Sequence, residues 1–379
     1  MFKGESFTMS VTSCRQYLRR NPDLAAALVF AVAASCFVPF SPAALLSSIN
    51  LPLLGLLFCL MSIVAGLRQS GLFAAIYQKL FHGETSSRTL GRFFIFSCFF
   101  SSMLITNDVA LIIFVPLAIL VLTEVRAIRL LIPVVIWQTI AANMGSMLTP
   151  IGNPQNLFIY SYYGLSLPDF LRITFPIVLI SGGIIYLATF FLQDKPVTIA
   201  AQTGEHLDWH RILPLLLLFA LCLLNVLRLL PFPALMLLVV PAIAFLDRQL
   251  FREVDYKLLL LFTFLFLGVG SLARIPYLQT GPAELLTGHE FWGSLLLSQV
   301  ISNVPTTVML AQYTTASAPL LLGVNIGGLG TIIASMASVI SFKAYQGTRF
   351  HKTGPYLSLF TLANLGLLAI LLVYYYLCL

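Results

Sequence analysis

The apolar positions of this chain do not alternate with polar ones; they run on. Continuous apolar stretches cover 24–40, 51–67, 170–192, 211–228, 256–273 and 355–378, and a shorter one, 234–247, is bounded by Pro233 and by Asp247-Arg248. A helix needs about 17–25 such residues to cross a bilayer, so these seven stretches read as spanning helices. A β-barrel would instead show alternating segments of about ten residues. Regions 128–161 and 318–346 are apolar but interrupted by glycine, asparagine and proline, and read as two broken spans. Regions 90–123 and 285–316 do not fit one helix each. As a single helix, 90–123 would be about 50 Å long against a hydrocarbon core of about 30 Å.

The charges bounding these two regions decide what they are. Arg88 and Arg92 precede the first, and Arg126 and Arg129 follow it. Lysine and arginine collect in cytoplasmic loops, so both ends belong on that side. This predicts a re-entrant helical hairpin with its tip at Thr106-Asn107-Asp108. The second region has Glu284, His289 and Glu290 before it and no basic residue after it. It reads as a hairpin entering from outside, with its tip at Ser302-Asn303-Val304-Pro305. With the N-terminus inside and the C-terminus outside, only Arg172, Arg228 and Arg274 of the 21 lysines and arginines lie outside. The expected architecture is nine full spans plus two hairpins.

Composition closes off other classes. The chain is 59% hydrophobic and 9% charged, where a soluble domain carries about 25% charged residues. The fold class is therefore an all-α polytopic membrane protein, expected in a bacterial inner (cytoplasmic) membrane. Its net charge of +7 sits between apolar runs, so it reads as topology, with the lipid bilayer as partner and no nucleic acid. The six cysteines are scattered, without C-x-x-C spacing or neighbouring histidines, which indicates neither a disulfide framework nor a metal cluster. Arg15, Arg19 and Arg20 before the run from Leu24 resemble a signal peptide. The long flank and the membrane character downstream favour a retained first span. There is no H-E-x-x-H, no serine–histidine pairing and no pair of aspartates within a span, so no enzyme is expected.

The two halves resemble each other. An offset of 196 places Ser102, Ile105 and Asn107 on Ser298, Ile301 and Asn303; an offset of 182 places Asn143, Gly145, Thr149 and Ile151 on Asn325, Gly327, Thr331 and Ile333; an offset of 206 places Arg68 on Arg274. The organisation read from this is a cytoplasmic N-terminal segment 1–23, a first repeat 24–192, a cytoplasmic linker 193–209 and a second, inverted repeat 210–379. Inverted repeats with paired interrupted segments are a signature of secondary transporters.

The interruptions carry the chemistry. Helix cannot continue through Pro150-Ile151-Gly152-Asn153-Pro154. Unwound backbone at membrane depth is tolerated only inside protein or along a wet cavity, where freed carbonyls attract cations and half-helix N-termini attract anions. Asn143, Gly145, Thr149, Asn153 and Asn156 accompany the first break, and Asn325, Gly327 and Thr331 the second. The tips add Thr106, Asn107 and Asp108 on one side and Ser302, Asn303 and Thr306 on the other. Asp108 is the expected coupling acid, because a carboxylate in hydrocarbon is costly and such residues usually serve transport. Sodium is a candidate near Asn107, Asp108 and Asn143 and again near Asn303 and Asn325. Gln138, Gln155, Gln299 and Gln312 are further amides that a pathway could use, none singled out.

The T-N-D tip, the N-x-G-x-x-x-T-P-x-G-N-P-Q-N segment and the S-N-x-P tip together resemble the ion-transporter superfamily, in the branch of citrate-transporter-like and arsenical-pump permeases. The chain looks most like the anion-permease subgroup carrying G-N-P-Q-N. The resemblance implies an elevator-like or rocking carrier with its substrate between the hairpin tips and the broken helices. Divalent-anion/sodium symporters of that superfamily carry Ser-Asn-Thr at both tips. Here Asp108 and Val304 stand in the third positions, which turns the expectation away from dicarboxylates. The expected function is secondary active transport of a small inorganic or organic anion or oxyanion, coupled to Na+ or H+, with no other cofactor. A Na+/H+ antiporter and an arsenite/antimonite efflux permease are the alternatives, and a homodimer is left open.

Overall fold

A computed structural model describes residues 21–39, 41–72, 83–199, 208–272, 274–275 and 283–378. The N-terminal arginines, Lys79 and linker residues 200–207 lie outside the described residues. The first half contains α1 (Pro22–Cys36), α2 (Pro42–Ser48), α3 (Leu51–Gln69), α4 (Ser87–Ile105), α5 (Asn107–Glu124), α6 (Leu131–Ser146), α7 (Pro154–Tyr162) and α8 (Leu167–Ala188). The second contains α9 (Trp209–Val226), α10 (Phe232–Leu246), α11 (Tyr256–Leu272), α12 (Glu290–Ile301), α13 (Asn303–Ala311), α14 (Ser317–Ile326), α15 (Met336–Gln346) and α16 (Thr353–Cys378). Seven helical segments are long and apolar enough to cross a membrane, and shorter apolar helices accompany them. Phe191 and Phe245 are each 92% exposed, an arrangement that lipid, not water, accommodates. The chain is an all-α polytopic membrane protein.

One expected span is shorter than its apolar run. The stretch 24–40 ends as helix at Cys36, and a second, short helix, α2, starts at Pro42 with Ser41 as its cap. Pro39 cannot take an interior helical position without losing a hydrogen bond and clashing with the preceding turn, and Pro42 is preset for a helix start.

Both hairpins turn at a single residue. Thr106 joins α4 to α5 with φ 67° and ψ 149°, and Ser302 joins α12 to α13 with φ 74° and ψ 154°. This region of backbone space is close to glycine-only and costs about 1–3 kcal/mol. It recurs at positions related by the 196-residue offset. The arms differ, with 19 and 18 residues in the first hairpin and 12 and 9 in the second. The open end of the first is tied to the end of α8. Arg88 pairs with Asp194 at 3.2 Å and donates to the Leu192 carbonyl, and Arg92 donates to Thr189 Oγ1 at 3.0 Å. A two-stranded antiparallel sheet, β1 (Gly83–Ser86) with β2 (Pro196–Ile199), closes this end, so the described part of the linker is structured.

The breaks match as well. After α6, a 3₁₀ turn at Pro150–Gly152 precedes α7; after α14, one at Ile332–Ala334 precedes α15. Thr149 Oγ1 donates to the Met103 carbonyl, and its counterpart Thr331 Oγ1 donates to the Gln299 carbonyl. Glycine is needed where each broken helix crosses its hairpin. A Cβ on Gly145 would lie 2.0 Å from the Phe99 carbonyl oxygen, and one on Gly327 would lie 3.0 Å from Leu295 Cα. The same offsets relate Phe99 to Leu295. Further out, Arg68 at the end of α3 binds Glu253 ahead of α11, and Arg274 after α11 binds the Pro39 carbonyl ahead of α3.

The buried side chains form two clusters. One gathers α4, α5, α6, the later part of α8 and α16, with residues of α12, α14 and α15. The other gathers α1, α3, α7, α9, α10, α11 and α13, with Phe170 of α8 and residues of α14. Tip and break residues join both, Leu329 the first and Ile151 and Val304 the second.

Candidate functional site

Four helices begin at one cavity. It is lined by Asn107 and Asp108 at the start of α5, Pro154 and Gln155 at the start of α7, Ser302 to Pro305 at the start of α13, and Ser335 and Met336 at the start of α15, with Ile301, Leu258 and Leu261 completing the wall. Its volume is about 40 Å³. A water needs about 10–15 Å³ of such space, so this state holds a few waters or a bare ion. A larger groove lies along α16 at Leu357, Ser358, Thr361, Leu362, Leu365 and Gly366. Among the described residues its lining has no ionisable group and no tip or break residue.

The cavity rests on an asparagine frame that crosses between the halves. Asn143 Oδ1 accepts from Asn107 Nδ2 at 3.1 Å and from Ser335 Oγ at 3.1 Å. Asn325 Oδ1 accepts from Asn153 Nδ2 at 3.1 Å, while Asn325 Nδ2 donates to Asn156 Oδ1 at 2.7 Å. The 182-residue offset carries Asn143 onto Asn325 and Asn153 onto Ser335. The bonds Asn143–Ser335 and Asn325–Asn153 are therefore the same contact made in both directions, which is what a two-fold relation produces.

Asn107, Asp108, Ser302 and Asn303 face the cavity, and Asn143 stands behind them. Thr106 lines a separate apolar cleft against α3, beside Leu57 and Leu60. The remaining candidates are brought near but their side chains are engaged elsewhere or absent. Asn156 donates to the carbonyls of Ser146, Met147 and Thr149, tying down the break. Asn153 caps α7 through Asn156 N. Thr306 Oγ1 returns to the Ser302 carbonyl within its own helix. Thr149 and Thr331 hold the hairpins, and Gly145 and Gly327 allow close approach. Two lining residues, Gln155 and Ser335, were not singled out by sequence. Ser335 could have been found by applying the 182-residue offset to Asn153.

The electrostatics are one-sided. Among the described residues, no lysine or arginine lines the cavity. The Asp108 carboxylate has no hydrogen bond or ion pair among the described residues; only its backbone N–H is engaged, by Asn107 Oδ1 at 2.9 Å. The charged groups within electrostatic reach of it are Asp255 and Lys257, at the start of α11. Against this carboxylate stand four helix N-termini, each worth roughly half a positive charge. The C-terminal ends of α4 and α12, one residue away at each tip, offset part of that field. The remaining N–H groups favour an anion without a basic side chain, more so once Asp108 is protonated or cation-bound.

Comparison with known proteins agrees with this geometry. The chain is 32% identical over 337 residues to the inner membrane protein YbiR of Escherichia coli, covering 85% of this chain and 87% of that one. It is 33% identical over 298 residues to the uncharacterized transporter MJ0456 of Methanocaldococcus jannaschii, covering 77% and 80%. A shorter likeness, 33% over 162 residues, covers 42% of this chain and 33% of the silicon efflux transporter LSI3 of Oryza sativa. The citrate transporter family profile matches residues 18–340. Paired hairpin tips, paired broken helices and this match over most of the sequence place the chain in the citrate transporter family of membrane transporters.

Proposed function

We propose that the protein is a secondary active transporter of a small anion or oxyanion, with Asp108 coupling movement of the solute to H+ or Na+. The observation that supports this best is the convergence of four helix N-termini on a cavity whose one ionisable lining group among the described residues is Asp108. The two repeats, 24–192 and 210–379, would cross the membrane in opposite senses, with the N-terminus cytoplasmic and the C-terminus outside. An impermeant thiol reagent applied to whole cells checks this. Arg349→Cys is expected to stay unlabelled, and labelling from outside would reverse the orientation.

Thermal unfolding of the purified protein tests the solute class. Oxyanions, small carboxylates, neutral hydroxy acids and the chlorides of sodium and potassium are compared across pH. The expected result is stabilisation by one class of anion, enhanced by sodium or by lower pH. A second reading has one observation in its favour, the likeness to a relative named as a silicon efflux transporter. In that reading the solute is a neutral hydroxy acid bound by amides and hydroxyls, and stabilisation falls as the solute itself ionises. Stabilisation by sodium alone, with no anion effective, would point instead to a Na+/H+ antiporter.

A further inference from the structure

We propose that Gln155 is the residue through which the cavity selects its solute, donating its amide N–H to a solute oxygen; this rests on the anion-transport reading above. Gln155 is only 3% exposed, lines the cavity, and makes no side-chain hydrogen bond among the described residues. A buried amide left without partners is costly, and the great majority of buried polar groups have one. The other glutamines named in the sequence differ. Gln138 donates to the carbonyls of Phe94 and Phe114. Gln299 donates to those of Gly327 and Leu329 and accepts from Thr331 N. Gln312, at the end of α13, also has a buried amide without a hydrogen-bond partner among the described residues, but it does not line the cavity. Next to Gln155, Asn156 spends its amide on the break. Asn143 Nδ2 is also buried without a partner among the described residues, but Asn143 stands behind the cavity wall; Gln155 combines an uncommitted amide with a place in the lining, so the partner open to it is what enters the cavity.

Its place in the repeat sharpens this. Asn107 and Asn303 are counterparts, and so are Asn153 and Ser335. The two polar lining residues without a polar counterpart are Asp108, matched by Val304, and Gln155, matched by Ala337. The frame is two-fold, but the groups free to discriminate both come from the first repeat. Gln155 is also the second residue of α7, so its donor leaves from a helix end already directed at anions. The solute then sits off the two-fold axis, against Gln155, with the proton or cation of Asp108 on the same side.

The test compares wild type, Gln155→Leu and Gln155→Glu by thermal unfolding and by proteoliposome uptake, with sodium phosphate, sulfate, arsenate and malonate as probes. Leucine keeps the bulk and removes the amide; glutamate keeps the length and replaces the donor with a carboxylate. The expected result is at least a tenfold higher half-saturating concentration in Gln155→Leu, a larger loss in Gln155→Glu, and the largest losses for the more highly charged anions. Without solute, Gln155→Leu should unfold at or above the wild-type temperature, because the amide removed makes no hydrogen bond among the described residues. Wild-type stabilisation by an anion that Gln155→Leu binds equally well would overturn this inference and leave the transport reading intact. A fall in the solute-free unfolding temperature of Gln155→Leu would make Gln155 a structural strut. Failure of every anion to stabilise the wild type would remove both.

Discussion

Asp108→Asn is expected to end gradient-driven accumulation while leaving solute exchange in place. In proteoliposomes, one coupled ion moving down a tenfold gradient can sustain up to tenfold accumulation, since 1.4 kcal/mol corresponds to a factor of ten. The wild type should approach that ratio, and Asp108→Asn should stay near one. The reason lies in what surrounds the carboxylate. It is half-buried at a hairpin tip, without a hydrogen-bond or ion-pair partner among the described residues. A proton or a cation relieves the cost of holding it there, so its occupancy can bias which conformation is populated. Asparagine keeps the shape and an acceptor oxygen but has no charge to change. Counterflow of labelled solute should persist, because the four helix ends and the asparagine frame are untouched. An Asp108→Asn protein driven as strongly as wild type would place coupling on backbone and amide groups alone.

Much of this fold is legible in the sequence for physical reasons that can be named. Asn107 and Asp108 interrupt an apolar run whose flanks are both basic, and a hairpin is the chain path that satisfies both facts. The breaks follow from Pro150, Gly152 and Pro154, and from Gly327, Gly328 and Gly330, none of which supports a continuous helix. The offsets between the halves predicted which residues would correspond, and the paired Thr149–Met103 and Thr331–Gln299 bonds follow them. What pattern cannot decide is which way a polar side chain turns at a broken helix. Asn156 and Thr149 could face a ligand or hold freed backbone, and they hold backbone. Gln155, one position from Asn156, faces the cavity instead. The short α2 falls between the apolar runs 24–40 and 51–67, where seven residues are too few to stand out as a helix by pattern.

The same geometry explains why function concentrates at the tips. Thr106 and Ser302 hold a costly backbone conformation, and each is followed directly by an asparagine that starts a helix at the cavity. Strain of this kind persists only where the surroundings over-determine it. Here Asn143 joins the first tip, through Asn107, to the second break, through Ser335, and Ser302 Oγ donates to the Ala334 carbonyl of that break. Asn325 joins the two breaks through Asn153 and Asn156.

The central claim is that solute passes between the two hairpin tips, and modification of Val304→Cys tests it most directly. Val304 lines the cavity, is 7% exposed, and is the second-repeat counterpart of Asp108. Cysteine at this position changes little until a thiol reagent attaches a charged group to it. In a cysteine-free background that retains transport, a methanethiosulfonate reagent is added to proteoliposomes during turnover. Labelling is followed by mass and transport by uptake of the stabilising solute. The account predicts that labelling abolishes uptake and that saturating solute slows the labelling severalfold. Full labelling with undiminished uptake, or turnover during which the cysteine is never reached, would contradict it.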